Sequence, residues 1–180
     1  QALKLLSWNI NGLRSIWKKG LLDILGAEAA DVVCLQETKL QAEQVTDEMR
    51  APLGYRSYWS FAERKGYSGV ATYLKPEPIA AGTLCDSPVL DCEGRLVYTE
   101  LPDFHLFNVY FPNGGMGPER VQHKLAFYEA FLAILQVHGF VAVPSGSVIK
   151  ILPDATSRQM PANDLPDRVS STSDEIVTQV

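Results

Sequence analysis

Three stretches of this 180-residue sequence place polar side chains where an apolar run stops. In Trp8-Asn9-Ile10-Asn11-Gly12, two amides stand two residues apart at the end of an apolar segment. In a strand such residues share a face, and asparagine is depleted in strands. The pair is therefore either an Asn-Gly turn or a functional pair of amides. In Leu35-Gln36-Glu37-Thr38-Lys39, a carboxylate ends a buried-looking run. A buried charge is expensive unless it is paired or bound to a cation. Glu37 is thus a candidate ligand for a hard cation such as Mg²⁺, which prefers carboxylate oxygen and keeps several waters. The alternative is a strand-end carboxylate paired to Lys39 or solvated. In Asn108-Val109-Tyr110-Phe111-Pro112-Asn113-Gly114-Gly115, a tyrosine alternates with apolar neighbours before a Pro-Asn-Gly-Gly loop. Loop amides suit a phosphate, and a phenol can donate to a phosphoryl oxygen. The alternative is a core tyrosine leading into an ordinary turn.

The remaining chemistry-bearing residues form no known constellation. His105, His123 and His138 are scattered without Ser or Asp spacing that would make a triad. Lys18, Lys19, Arg56, Arg64 and Lys65 make small basic clusters of the kind that usually face solvent. Cys34, Cys85 and Cys92 are odd in number and irregular in spacing, so neither a disulfide framework nor a zinc set is expected, and a reducing compartment is. No G-x-G-x-x-G, P-loop or G-x-S-x-G pattern occurs.

The elements that must position these residues alternate. Residues 3–10 are expected to form a buried strand, residues 17–27 a helix with Leu21, Leu22 and Leu25 on one side, and residues 31–37 a second strand. A polar surface helix is expected over 41–50. Strands are expected over 55–61, 70–74, 96–101 and 104–111, separated by Gly, Pro and Asp turns. Pro118 suits a first helical turn and opens a helix through about 136. Leu125, Tyr128, Phe131, Leu132 and Leu135 form its expected apolar stripe. The order βαβα, then strands, then a helix favours a layered α/β architecture with a mixed sheet.

Composition bounds the whole. At 46% apolar and 21% charged residues, the chain is globular in class and one domain in size. A net charge of −5 excludes a generally basic nucleic-acid coat, so contact with nucleic acid would need a local positive or metal-bearing patch. No apolar run approaches the ~20 residues of a membrane span. No charged and then apolar leader opens the sequence at Gln1, so a cytoplasmic location without membrane partners is expected. Composition changes near residue 136. The last 44 residues hold one of the 17 aromatics, Phe140, with six serines and four prolines, and are a weak source of an independent core.

Taken in order, LKLLSWNINGLRS, ADVVCLQETKL, GYSGVATYLK, DCEGRLV and NVYFPNGGMGPERVQHKLAFYEAFL resemble the N-terminal half of the exodeoxyribonuclease III and AP endonuclease family, in the endonuclease/exonuclease/phosphatase superfamily. The resemblance covers about residues 3–136. It implies an α/β fold, part of a four-layered α/β sandwich with mixed sheets whose second half is incomplete here. It implies Mg²⁺-dependent (or Mn²⁺-dependent) cleavage of phosphodiesters in double-stranded DNA at abasic sites or 3′ ends. By the resemblance, Glu37 and Asn9 form the metal site, and Asn9, beside the scissile phosphate, and Tyr110, which contacts it, are the catalytic residues. Asn11 and Asn113 face the phosphate or DNA backbone, and Arg95 is structural or supporting. The PNGG-x-GPER loop points to the DNA-repair branch rather than to a phosphatase branch.

The resemblance stops after about residue 136. The family's Gly-Asp-x-Asn and Ser-Asp-His patterns, credited with activating the water and holding the phosphate, do not stand in the sequence. Residues 139–143 run into Pro144-Ser145-Gly146, and Ser173-Asp174-Glu175 has Glu where His is expected. Residues 1–136 are thus expected to be a nuclease-like half, and 137–180 a divergent tail, out of frame or poorly ordered. The chain is expected to have weak or no activity. The alternatives are a non-catalytic DNA- or protein-interaction fragment and a phosphatase of the same superfamily.

Overall fold

The computed structural model describes residues 3–83, 92–115, 117–137, 140–145, 148–153 and 176–179, the last three segments by backbone alone. Cys85, His138 and the Ser173-Asp174-Glu175 run lie outside the described residues. In chain order the elements are β1 (Lys4–Asn9), α1 (Leu13–Lys18), α2 (Leu21–Glu28), β2 (Val32–Gln36), α3 (Asp47–Arg50), β3 (Arg56–Ser60), β4 (Val70–Leu74), β5 (Ala80–Gly82), β6 (Leu96–Leu101), β7 (Phe104–Val109), α4 (Pro118–Val137), β8 (Phe140–Ser145), β9 (Val148–Pro153) and β10 (Ile176–Gln179).

These strands form two sheets. One is mixed, in the order β10-β1-β2-β4-β3, and the other is antiparallel, in the order β5-β6-β7-β9-β8. The two-residue period of each strand decides what its faces meet. From β1, β2 and β4, Leu5, Val32, Cys34 and Leu74 point to the second sheet and pack with Leu101, Phe104 and Leu106. The intervening residues Leu6, Val33, Leu35 and Tyr73 face the other way, onto Leu13, Leu21, Leu25 and Met49 of the helices. On β6 and β7, Leu96, Phe107 and Val109 face outward and are covered by Phe127, Phe131 and Leu135 of α4. The layers are therefore helices, mixed sheet, antiparallel sheet, helix, the four-layered order that the family resemblance implies.

Where the inner faces approach the end of the core, apolar residues give way to amides. Gln36 and Asn108, 1% and 0% exposed, meet across the two sheets. Gln36 Nε2 donates to Asn108 Oδ1 at 2.9 Å, and Asn108 Nδ2 donates to Ala71 O at 2.9 Å and Thr72 Oγ1 at 3.1 Å. One amide of β7 is thereby tied to β2 and β4 of the other sheet.

Three local expectations are corrected. The helix expected over 17–27 is two helices, because the chain turns at Lys19-Gly20, with Lys19 and Gly20 donating to Ile16 O and Trp17 O. Glycine is a poor helix interior residue. Of the predicted side, Leu21 and Leu25 are buried and Leu22 is not. The segment 41–50 is a 3₁₀ turn (Ala42–Gln44) followed by the four-residue α3, capped by Thr46 Oγ1 accepting from Met49 N at 3.2 Å. Its Met49 is buried between the mixed sheet and the helices, which a polar surface helix would not provide. On α4 the buried stripe is Phe127, Phe131 and Leu135, whereas Leu125 and Leu132 are 53% and 50% exposed. At 3.6 residues per turn, 127, 131 and 135 stack on one side and 125 and 132 fall beside it. Among the described residues, no helix is long and apolar enough to cross a membrane.

Removing the Asn108 amide strands buried partners on two strands of the other sheet. Asn108→Leu is expected to lower the free energy of unfolding in urea by about 2 kcal/mol or more, the scale of a buried polar group left unpaired. The exposed Leu125→Ala change is expected to stay within about 0.5 kcal/mol. Comparable losses for the two variants would contradict the placement of both residues.

Candidate active site

β1 and β2 are parallel and in register, with Asn9 opposite Gln36, so Asn9 and the residue after Gln36 leave the sheet at the same edge. Tyr110 follows β7 with the parity of Leu106 and Asn108, which face the mixed sheet. Three chain segments therefore deliver their polar residues to one end of the inter-sheet space. There Glu37 Oε1 accepts from Asn9 Nδ2 at 2.9 Å and from Tyr110 OH at 2.7 Å. Lys39 Nζ lies 3.3 Å from the other carboxylate oxygen and also donates to Asn11 Oδ1. Asn9 Oδ1 in turn accepts from the Asn11 backbone N–H at 3.2 Å.

The Glu37 side chain is 20% exposed. Burial by itself raises its pKa, but hydrogen bonds from Asn9, Tyr110 and Lys39, with the Lys39 charge, outweigh this and hold it below the ordinary carboxylate value. The same contact acts oppositely on the phenol. Burial first, and then its hydrogen bond to Glu37 and the carboxylate's charge, push the Tyr110 pKa up to about 12. Tyr110 is therefore a protonated donor at neutral pH.

The backbone around Glu37 is held in unusual geometry. Asn11, Glu37, Lys39 and Ser68 all have left-handed φ, of 47°, 56°, 54° and 47°. Each such non-glycine residue costs on the order of 1–3 kcal/mol and persists where neighbouring structure enforces it. The enforcement is a double clamp. Gly12 N and Leu13 N donate to Glu37 O and Thr38 O at 2.7 and 2.9 Å, while Thr38 N and Lys39 N donate to Gly69 O and Ser68 O at 3.0 and 2.8 Å. Gly69 has φ +83°, and a Cβ there would meet Thr38 Oγ1 at 2.4 Å, so a side chain would open the clamp.

A second charged group backs Tyr110. Glu93 accepts from Arg95 Nε at 2.6 Å and from an Arg120 Nη at 2.9 Å, and His123 Nε2 is 3.2 Å away. Burial would raise the Glu93 pKa, but hydrogen bonds and charge from Arg120 and Arg95 bring it down to about 2. Beside this group an open cleft of about 460 Å³ is lined by Glu63, Arg64, Tyr67, Cys92, Glu93 and Arg120.

The structure thus brings together Asn9, Asn11, Glu37 and Tyr110 from the sequence-derived set, with the Lys39 pairing that was the alternative for Glu37. It does not join Asn113 to them by any described hydrogen bond. Asn113 is exposed, and its Oδ1 accepts from Gly115 N at 2.9 Å within its own loop. Sequence reasoning named Arg95 as structural or supporting but missed Gln36, Asn108, Arg95's partner Glu93 and, on Glu93, Arg120. The only signal for the first two was an amide inside an apolar strand. Glu93 and Arg120, 27 residues apart, stand in the DCEGRLV and GPER stretches, but nothing in the sequence paired them.

A sequence model of the Endonuclease/Exonuclease/phosphatase family matches residues 6–141. The exodeoxyribonuclease of Bacillus subtilis is 40% identical over 134 residues, covering 74% of this chain and 52% of that protein. The Xenopus laevis APE2 catalytic domain superposes with a TM-score of 0.62 at 36% identity, over 77% of this chain and 56% of that one. An AP endonuclease from Archaeoglobus fulgidus superposes with a TM-score of 0.64 at 28% identity, over 73% and 51%. The chain spans about half the length of these three proteins.

Because the Glu93 pKa is depressed from 4.5 to about 2, its ion pairs stabilise the fold fully above about pH 4.5, and that contribution is lost as pH falls toward 2. Urea unfolding is expected to show stability dropping through this window. Glu93→Gln should be less stable at neutral pH and show a shallower acid slope. An acid slope unchanged by the substitution would remove the charge-pair account.

Proposed function

We propose a DNA-repair nuclease half-site for this chain, which belongs to the endonuclease/exonuclease/phosphatase family. The observation that carries the proposal is the convergence of Asn9 and Tyr110 on one oxygen of Glu37 from three separate chain segments. Relatives above 30% identity bear the names of DNA nucleases, among them the Bacillus exodeoxyribonuclease and the zebrafish DNA repair nuclease APEX1. That supports DNA phosphodiesters, at abasic sites or 3′ ends, as the substrate class.

The donor set suits magnesium. Among the described residues, no group of three or more His, Cys, Asp or Glu gathers as a metal cage. Mg²⁺ does not need one, because it is commonly held by one or two carboxylates with waters and substrate phosphate. Glu37 would hold it, and Mn²⁺ could take its place. A bound divalent ion supplies Lewis-acid stabilisation of phosphoryl charge. The chain's own part is positional. Asn9 and Tyr110 fix the Glu37 carboxylate, and both are donors that can turn to phosphoryl oxygens as charge develops there. Lys39 compensates Glu37 until a cation competes for the same carboxylate. Asn11, bonded to Lys39, lies at the rim of this group, and Asn113 is the loop residue assigned to the DNA backbone. Tyr110, with its pKa near 12, is a donor and not a base.

Nothing in the described site activates a water, and Gly-Asp-x-Asn and Ser-Asp-His are absent from the 180 residues. These residues alone are therefore proposed to bind metal and DNA with little or no turnover. That absence also favours a second reading, a non-catalytic DNA-interaction fragment.

The test is the purified chain with abasic-site duplex, in Mg²⁺ and in EDTA, with Mn²⁺ binding followed by electron paramagnetic resonance. Glu37→Ala is expected to weaken Mn²⁺ binding by about tenfold or more, and no metal-dependent nicking is expected from either protein. Mg²⁺-dependent nicking abolished by Glu37→Ala would overturn the low-turnover proposal. Nicking that survives the substitution would overturn the metal assignment. Duplex binding with no metal effect would leave the interaction fragment.

A further inference from the structure

Arg95 is the largest fully buried side chain among the described residues, at 2% exposure. A guanidinium taken out of water is tolerated only when its donors are satisfied, and those of Arg95 are shared among Glu93, Tyr110 and Tyr67. Its Nε donates to Glu93 at 2.6 Å, one Nη donates to Tyr110 O at 2.9 Å, and the other donates to Tyr67 OH at 2.8 Å. The guanidinium carbon lies 4.7 Å from the Tyr110 ring centroid, within cation–π range. Tyr110 N donates back to Arg95 O at 2.8 Å. One residue thus grips the N–H, the carbonyl and the ring of Tyr110, whose hydroxyl holds Glu37.

Arg95 is itself set in place from two directions. Gly94, at φ +59°, lets the chain press on Phe61 and Ala62, where a Cβ would lie 2.3 Å from Phe61 C and 2.4 Å from Ala62 N. Glu93 is shared with Arg120 of α4, so the helix and the Tyr110 segment are fastened through one carboxylate. A lysine could not replace this arrangement. Its three donors radiate from one point, whereas the planar guanidinium reaches three partners in different directions while lying over a ring.

We infer that Arg95 is the positioning residue of the site, acting on Glu37 only through Tyr110 and anchored by Glu93. The metal measurement below rests on Glu37 being the proposed metal ligand, and the tyrosine measurement does not.

The experiment uses the full chain with ¹³C-labelled tyrosine rings, the Tyr110 signal being assigned by its loss in Tyr110→Phe. Arg95→Lys is expected to shift and broaden the Tyr110 ring resonances and to weaken Mn²⁺ binding by about tenfold, the scale of losing a group that orients a ligand. In the Tyr110→Phe background, Arg95→Lys should cost no further Mn²⁺ affinity, because its path to Glu37 is already cut. Tyr67→Phe, which frees one arm of Arg95 and one of Arg120 and spares the contacts of Arg95 to Glu93 and Tyr110, should shift the Tyr110 ring in the same direction by less. It answers the question if Arg95→Lys does not fold. Tyr110 resonances unmoved in both variants would overturn the inference, as would additive losses of Mn²⁺ affinity in the double variant. If the native chain binds no Mn²⁺, Glu37 loses its metal role, while the ring resonances still decide on Arg95.

Discussion

The pairing of Gln36 with Asn108 is the contact on which the site depends. It is a hydrogen bond between two sheets whose packed inner faces are otherwise mainly apolar and therefore non-directional. Leu5, Cys34 and Leu106 could slide past one another with small loss. An amide that must meet Gln36, Ala71 O and Thr72 Oγ1 together cannot. Glu37 is one residue beyond Gln36, and Tyr110 is two beyond Asn108 on the same face. Fixing the first pair therefore fixes the distance between the carboxylate and the phenol. Among the described residues the network is not complete, since Gln36 Oε1 is buried without a partner there. Such an atom lowers stability, and it stands next to Glu37, whose backbone is held at left-handed φ.

Around that contact the molecule arranges its charges in pairs. The net charge is −5, yet the two half-buried carboxylates at this end of the fold each lie against cations, Glu37 against Lys39 and Glu93 against Arg95 and Arg120. Both have depressed pKa values for the same reason: donated hydrogen bonds and positive charge outweigh the desolvation that alone would raise them. The two differ in exposure of their partners. Lys39 is 36% exposed and can yield its place, while Glu93 keeps Arg95, which is closed in, whatever the 27% exposed Arg120 does. One carboxylate is thus open to exchange of its partner and the other is a fixed anchor.

Backbone strain and charge are linked here. Left-handed φ at Glu37 and Lys39 turns both side chains of one short loop toward the same point, where they pair with each other and with Asn9, Asn11 and Tyr110. The hydrogen bonds from Gly12 and Leu13 on one side, and to Ser68 and Gly69 on the other, offset that strain. The GYSGV stretch therefore serves the site without contributing a side chain to Glu37. This explains why residues far apart in the chain had to be read together before they pointed anywhere.

What the sequence determined by itself was local. Strand-forming runs bounded by Gly, Pro and Asp turns placed β4 and β6 at their observed bounds, Pro118 opened the long helix, and polar residues at strand ends marked Asn9, Glu37 and Tyr110 as candidates. Each of these is encoded within a few residues, by propensity and by alternation. The split of residues 13–28 into two helices, the choice of Phe127 rather than Leu125 for the core, and the turning of Asn113 into its own loop were decided by competition between neighbouring segments. Gln36–Asn108 and Tyr110–Glu37 join residues 72 and 73 apart, and Arg95 finds Tyr67 28 residues away. Only the stacking of one sheet on the other brings such partners within hydrogen-bonding distance, because a strand pattern states which face a residue takes and not what that face will meet.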